Sequence, residues 1–405
     1  MLPVLVLIFH ASPAADAGPL VRALAEARRA LAERQCAAFL AAGADAAEIV
    51  AGPPDGLSFG ERLAAELRAR GTGGGSGSGR GGTSGDARGR GANAGDPGGL
   101  IVLGSGSIPL ATPADLRRFV EVAAGPGGHA LANNRYSADV VAISRAGDLA
   151  GLPPLPADNA LPRWLEERAG VAVTDLGSRW RLGVDIDTPQ DLIVLRDRAA
   201  AALLGAAPLF GERLAALAEV MSNRRAELLV AGRVSAATLT WLQHGVACRV
   251  RALVEERGLR ASSRLAQSGE AGEAAATSRA TSRATSRPPR SILGELLDRD
   301  GPEALALAVS RLADAAVIDS RVLMAHRFGS SESVWPMPED RFASDLLLAG
   351  DVADPWLRAL TDSAASAASS SPAPIVLGGH TLVNGGLRLL AARARLATRA
   401  RAGSR

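Results

Sequence analysis

Short runs of consecutive apolar residues, many of them β-branched, recur along this chain, and each is followed by a stretch with helical spacing. Val4–Phe9 (VLVLIF) is the first, with a long helical run from about Pro19 to Ala42 behind it. Glu48–Val50, GLIVLGSG (99–106), ADVVAIS (138–144) and VAVTDLG (171–177) are further strand candidates, interleaved with helical segments that start at Ser58, Thr112 and Asp158-Asn159. A strand that is apolar on both faces is buried on both, and strands alternating with helices imply a mostly parallel sheet covered on each side. The second half repeats the pattern. AELLVAG (226–232), CRVRALVE (248–255) and PIVLGGH (374–380) read as strands, Ser235 as a helix cap, and a basic helix ends the chain. The expectation is an α/β protein of two domains, residues 1–205 and 206–405.

Two tracts interrupt the pattern. Residues 71–98 are rich in Gly and Ser, and 266–290 carry a repeated ATSR unit with no apolar face; both read as disordered inserts. The arginine-rich repeat lacks the aromatic residues that stack bases, so a solvated insertion is expected and nucleic acid is not an expected partner. No run is long enough to span a bilayer, and the apolar N-terminus lacks a basic leader, so the expected partners include no membrane and the expected location is cytoplasmic. The formal charge is only +3, and all 45 basic residues are arginine. With no lysine, a P-loop lysine or Schiff base is excluded, and a phosphate must be held by arginine, backbone N–H groups or metal. Cys36 and Cys248 stand far apart, and the five histidines are scattered without zinc spacing.

The stretch 183–192, GVDIDTPQDL, concentrates chemistry. Val184 and Ile186 read as the end of a buried strand, which puts Asp185 and Asp187 on one face. Thr188 and Pro189 begin a helix. A strand thus delivers two carboxylates to its C-terminal edge, where open α/β sheets bind ligands and where Mg²⁺ beside a phosphate finds hard oxygen donors. The plainer alternative is that Asp187 caps the helix and Asp185 faces water.

The order GSGSIPLATPADL, then DNALPRWL, then VDIDTPQDL resembles the molybdenum-cofactor-guanylyltransferase-like nucleotidyltransferases of the nucleotide-diphospho-sugar transferase superfamily. The resemblance covers residues 100–195, and 58–67 (SFGERLAAEL) more loosely. It implies a Rossmann-like, GT-A-like sheet in the first domain, with Asp185 and Asp187 as catalytic and metal-binding residues. It also implies a Mg²⁺- or Mn²⁺-assisted transfer from an NTP to a phosphorylated small molecule, releasing pyrophosphate. Ser107 occupies the position of the family's turn aspartate, and the family's glycine-rich loop after the first strand is replaced by LIFHASPAADAGPL. These departures open an alternative: a diverged pseudoenzyme or ligand-binding protein that keeps the fold.

Ser107, Asn134, Arg135 and Arg181 are the candidate nucleotide- or phosphate-binding residues of the first half, since an arginine grips phosphate bidentately. In the second half Arg233 follows Gly232 at a strand-to-helix turn, a plausible anion site. Asp319 and Arg321 interrupt an apolar run read as strand-like, where alternation sets them on one face as a site or an ion pair. His380 follows a buried strand at its C-terminal edge. These four, Arg233, Asp319, Arg321 and His380, are the second domain's candidates.

Overall fold

Six strands pair in the order β2-β1-β3-β5-β4-β6, and four others in the order β10-β9-β7-β8. The protein is therefore α/β, with one mixed sheet and one fully parallel sheet. The computed structural model describes residues 2–52, 56–70, 98–155, 158–255, 291–329, 331–370 and 373–403. Both low-complexity tracts, apart from Gly98, lie outside the described residues. The packing divides into two units, Met1–Ala14 with Arg28–Asp185 and Ala15–Ala27 with Ile186–Arg405.

The elements of the first sheet come in the order β1 (Val4–Ala11), α1 (Pro19–Ala41), β2 (Ala46–Gly52), α2 (Phe59–Ala69), β3 (Gly99–Gly104), α3 (Pro113–Ala123), β4 (His129–Ala132), β5 (Val140–Ile143), α4 (Leu161–Glu167) and β6 (Ala172–Asp175). β1 is parallel to β2 and β3, as its apolar run implies. Its side chains feed two cores: Val4, Val6 and Ile8 join Phe39 and Phe119, while Leu7 joins Leu63, Leu100 and Leu161. β5 departs from the mostly parallel expectation, running antiparallel to both β3 and β4. Only residues 133–139 join β4 to β5, too few for the crossover a parallel partner needs. Asn133 locks this connection. Its Oδ1 accepts from the N–H groups of Asp139 (2.9 Å) and Val140 (3.3 Å), and its Nδ2 donates to Asp139 Oδ2 (2.8 Å) and Leu182 O (2.7 Å).

The strand expected at GVDID is absent. Residues 184–187 join no ladder, although Val184 is extended. Alternation fails there too, because Val184, Asp185 and Ile186 are all buried while Asp187 is exposed. The apolar pair anchors an irregular segment rather than a strand.

The second unit continues with α5 (Pro189–Leu195), α6 (Ala200–Ala206), α7 (Pro208–Ser222), β7 (Glu227–Gly232), α8 (Ala236–Gly245), β8 (Arg249–Val254), α9 (Ile292–Asp300), α10 (Leu305–Ser310), β9 (Ala315–Asp319), α11 (Ser320–Phe328), α12 (Pro338–Asp345), α13 (Pro355–Ser370), β10 (Ile375–Gly378) and α14 (Leu387–Gly403). The run AAVIDSRVLMA is a strand and a helix rather than one strand. β9 stops at Asp319, whose carboxylate accepts the N–H of Arg321 and starts α11, so the two charges are not strand neighbours on one face. No single helix among the described residues is long and apolar enough to cross a membrane; α6 and α7 together have the length but meet at 106°.

Candidate functional site at the carboxyl edge of the parallel sheet

From β7 the chain moves outward to β8 and then returns to β9 on the other side of β7. The carboxyl ends of β7 and β9 therefore bound a topological switch point, the place where parallel sheets leave a crevice for ligands. β7 ends in Gly232, with φ +119, and a Cβ there would drive into the Cβ of Asp319. Only glycine allows the two strand ends to approach this closely.

That approach seats Arg233 on Asp319. Arg233 Nε donates to Asp319 Oδ2 at 2.6 Å and Nη2 to Oδ1 at 3.1 Å, a bidentate pair with a fully buried carboxylate. Burial opposes the charge on Asp319, but the Arg233 guanidinium outweighs it, with help from His380 and Arg321, and holds the carboxyl below its usual range. Behind it, Arg321 pairs with the buried Asp345 and donates to Ser320 Oγ at 2.9 Å. Burial pushes the Asp345 carboxyl up despite that partner.

His380 follows β10 by two residues. Its Nδ1 lies 3.8 Å from Oδ2 of Asp187, which is half exposed. The plainer reading of Asp187 as a helix cap is corrected by Asp191, whose carboxylate accepts the N–H groups of Asp187 (3.0 Å) and Thr188 (2.8 Å). The residue at the N-cap of α5 is Thr188. Asn384 braces the other side, accepting the N–H of Ser235 at 2.8 Å and donating to the carbonyls of Arg233 and His380. One carboxylate oxygen, one imidazole nitrogen and an oriented guanidinium line this edge.

The first-unit candidates are dispersed. Arg135 is paired with Glu166, and Asn134 Oδ1 accepts the N–H of Tyr136 at 2.9 Å. Arg181 and Arg179 converge on the buried Asp115, at 3.4 and 2.6 Å. Burial raises the Asp115 carboxyl, but hydrogen bonds from Thr112 and Arg179 bring it below its ordinary value. Ser107 is buried in the turn after β3, with its carbonyl held by Gln35 Nε2 at 2.6 Å, and the next residue, Ile108, has φ 45. Asp185 is the last residue of the first unit and is buried.

Sequence reasoning passed over the buried pair His10 and Ser105, at the carboxyl ends of the adjacent strands β1 and β3, 3.0 Å apart. The histidine closing an apolar strand was the available signal. Gln190 was also passed over, and only packing reveals its role. No protein-family model, curated protein or solved structure significantly matches the chain.

Proposed function

We propose that the protein is a metal-assisted enzyme of the nucleotidyltransferase type. It would move a nucleotidyl group from an NTP to a phosphorylated small molecule, release pyrophosphate, and work in the cytoplasm. The observation that carries this reading is the Asp187–His380 pair, 3.8 Å apart beside Arg233 at the edge where parallel sheets bind ligands. Support for a Rossmann-like, GT-A-like first unit comes from its sheet order, in which a single antiparallel strand interrupts parallel neighbours.

A carboxylate oxygen and an imidazole nitrogen within reach of one ion suit Mn²⁺ better than Mg²⁺, which favours oxygen donors alone. Asp187 and His380 would hold the cation, and Asp185, two residues upstream in the chain, is the carboxylate proposed to assist. The cation supplies charge neutralisation for the phosphates and the leaving pyrophosphate.

A second reading, a diverged ligand-binding protein, is favoured by the first unit itself. Ser107 lies buried where the family resemblance implies a carboxylate, and Arg135 and Arg181 are already spent on Glu166 and Asp115. Thermal shift with GTP, CTP, ATP and UTP, with and without Mn²⁺ or Mg²⁺, separates the two when combined with a pyrophosphate-release assay. A metal-dependent shift and turnover, both lost in Asp187→Ala, support the enzyme. A shift with neither metal dependence nor pyrophosphate supports the binding protein.

A further inference from the structure

Arg233 is held in a way that leaves half of it unused. Its Nε and Nη2 face Asp319, its own main-chain N–H reaches the same carboxylate at 3.4 Å, and Asp319 is in turn fixed by the Arg321 N–H at 3.2 Å. The guanidinium is clamped along one edge by a buried carboxylate. The opposite edge, formed by Nη1 and the second N–H of Nη2, has no partner among the described residues, and the side chain remains 34% exposed. A guanidinium carries five N–H donors in a rigid fork, so this outer edge can hold a second oxyanion bidentately.

The surroundings decide which oxyanion. The carboxylates of Asp187 and Glu332 act on Arg233 through space. A bare anion at the outer edge is repelled by Asp187 unless a cation neutralises that carboxylate first. A carboxylate on the arginine fork can offer the cation only the remaining lone pairs of the same two oxygens, whereas a phosphate has a separate oxygen for it.

We propose that Arg233 is the phosphate-binding residue of this edge, gripping a phosphate monoester by the outer side of its guanidinium while a cation at Asp187 and His380 takes another phosphate oxygen. This rests on the reading that Asp187 and His380 hold a cation. It assigns a residue of the second unit to the phosphorylated substrate, in place of Arg135 and Arg181.

Titration calorimetry on the full chain tests it, with Mn²⁺ alone, methyl phosphate alone, and each in the presence of the other. Binding is expected to be coupled, each ligand strengthening the other by the same factor of about fivefold or more, because linkage is reciprocal. Acetate is expected to show clearly weaker coupling than methyl phosphate, since it gains the relief of repulsion from Asp187 but brings no separate oxygen for the cation. Arg233→Gln is expected to keep Mn²⁺ affinity within about twofold and to abolish the coupling; Arg233→Lys, a charge without the fork, should retain only part of it and serves if the glutamine variant fails to fold. Mn²⁺ binding without coupling, or full coupling in both variants, overturns the assignment of Arg233 alone. Absence of Mn²⁺ binding in the wild type overturns the cation reading and this proposal together.

Discussion

Gln190 Nε2 donates to the carbonyl oxygen of Leu377 at 2.6 Å and so fastens the first turn of α5 to the last strand of the parallel sheet. The same nitrogen donates to the carbonyl of Asp345 at 3.1 Å, and the side chain is fully buried. Asp187 lies three residues before Gln190 and His380 three after Leu377. The amide thus ties the helix that follows Asp187 to the strand that precedes His380.

Gln190→Ala should leave two buried carbonyls without a donor. The expected cost is about 2–3 kcal/mol, or a melting point lower by several degrees. Mn²⁺ affinity should fall alongside, because Asp187 and His380, the proposed ligands, lose part of what fixes their separation. Thermal unfolding and Mn²⁺ titration of the variant check both; an unchanged Mn²⁺ affinity would mean that Asp187 and His380 are positioned by something else.

Asn133→Ala tests the antiparallel hairpin. The side chain is buried and serves the N–H groups of Asp139 and Val140 and the carbonyl of Leu182. Removing it strands all three, for about 3 kcal/mol. Urea unfolding should show a lower midpoint with an unchanged slope, since the surface exposed on unfolding stays the same.

β1, β3, β5, β7 and β10 were legible because each carries an unbroken apolar run that is largely buried; β4, four residues with no β-branched side chain, was not read as a strand. Helix starts were legible at Ser58, Thr112 and Ser235, where each side chain accepts a backbone N–H of the first turn. The direction of β5 was not, since it depends on the length of one connection and on Asn133 rather than on the strand's own residues. At GVDID the alternation of apolar and acidic residues imitated a strand, but Val184 and Ile186 are buried without any ladder partner. Asp319 was misplaced for the converse reason: its strand ends on the charge, and the helix begins with no Gly or Pro to mark the boundary. Of the site, the individual candidates Asp187, Arg233, Asp319 and His380 could be named singly. Their grouping could not, because β7, β9 and β10 converge only through the strand order.

His10 sets a pH dependence in the first unit. Burial, then the charges of Arg29 and Arg28, lower its pKa below the ordinary 6.5. The folded state therefore resists protonation more than the unfolded chain does. Stability is fully present above about pH 6.5 and is lost as the pH falls through the lowered folded value. Urea midpoints of the wild type should decline on going from pH 7.5 towards pH 5, and those of His10→Asn should decline less. Parallel curves would clear His10 of the effect.

Gly232→Ala is the sharpest test of how the carboxyl edge is built. The position has φ +119, which is costly for any residue with a Cβ, and the added methyl meets the Cβ of Asp319. To relieve the clash β7 and β9 must separate, and the Arg233–Asp319 pair that joins their ends must lengthen. The expected loss is about 3 kcal/mol, from backbone strain and overpacking together. Gly379→Ala is the control, because nothing stands within 4 Å of a Cβ there. Phosphate coupling to Mn²⁺ should disappear in Gly232→Ala and persist in Gly379→Ala, both measured well below their melting points. If both variants keep it, Arg233 does not need its buried carboxylate to hold the phosphate.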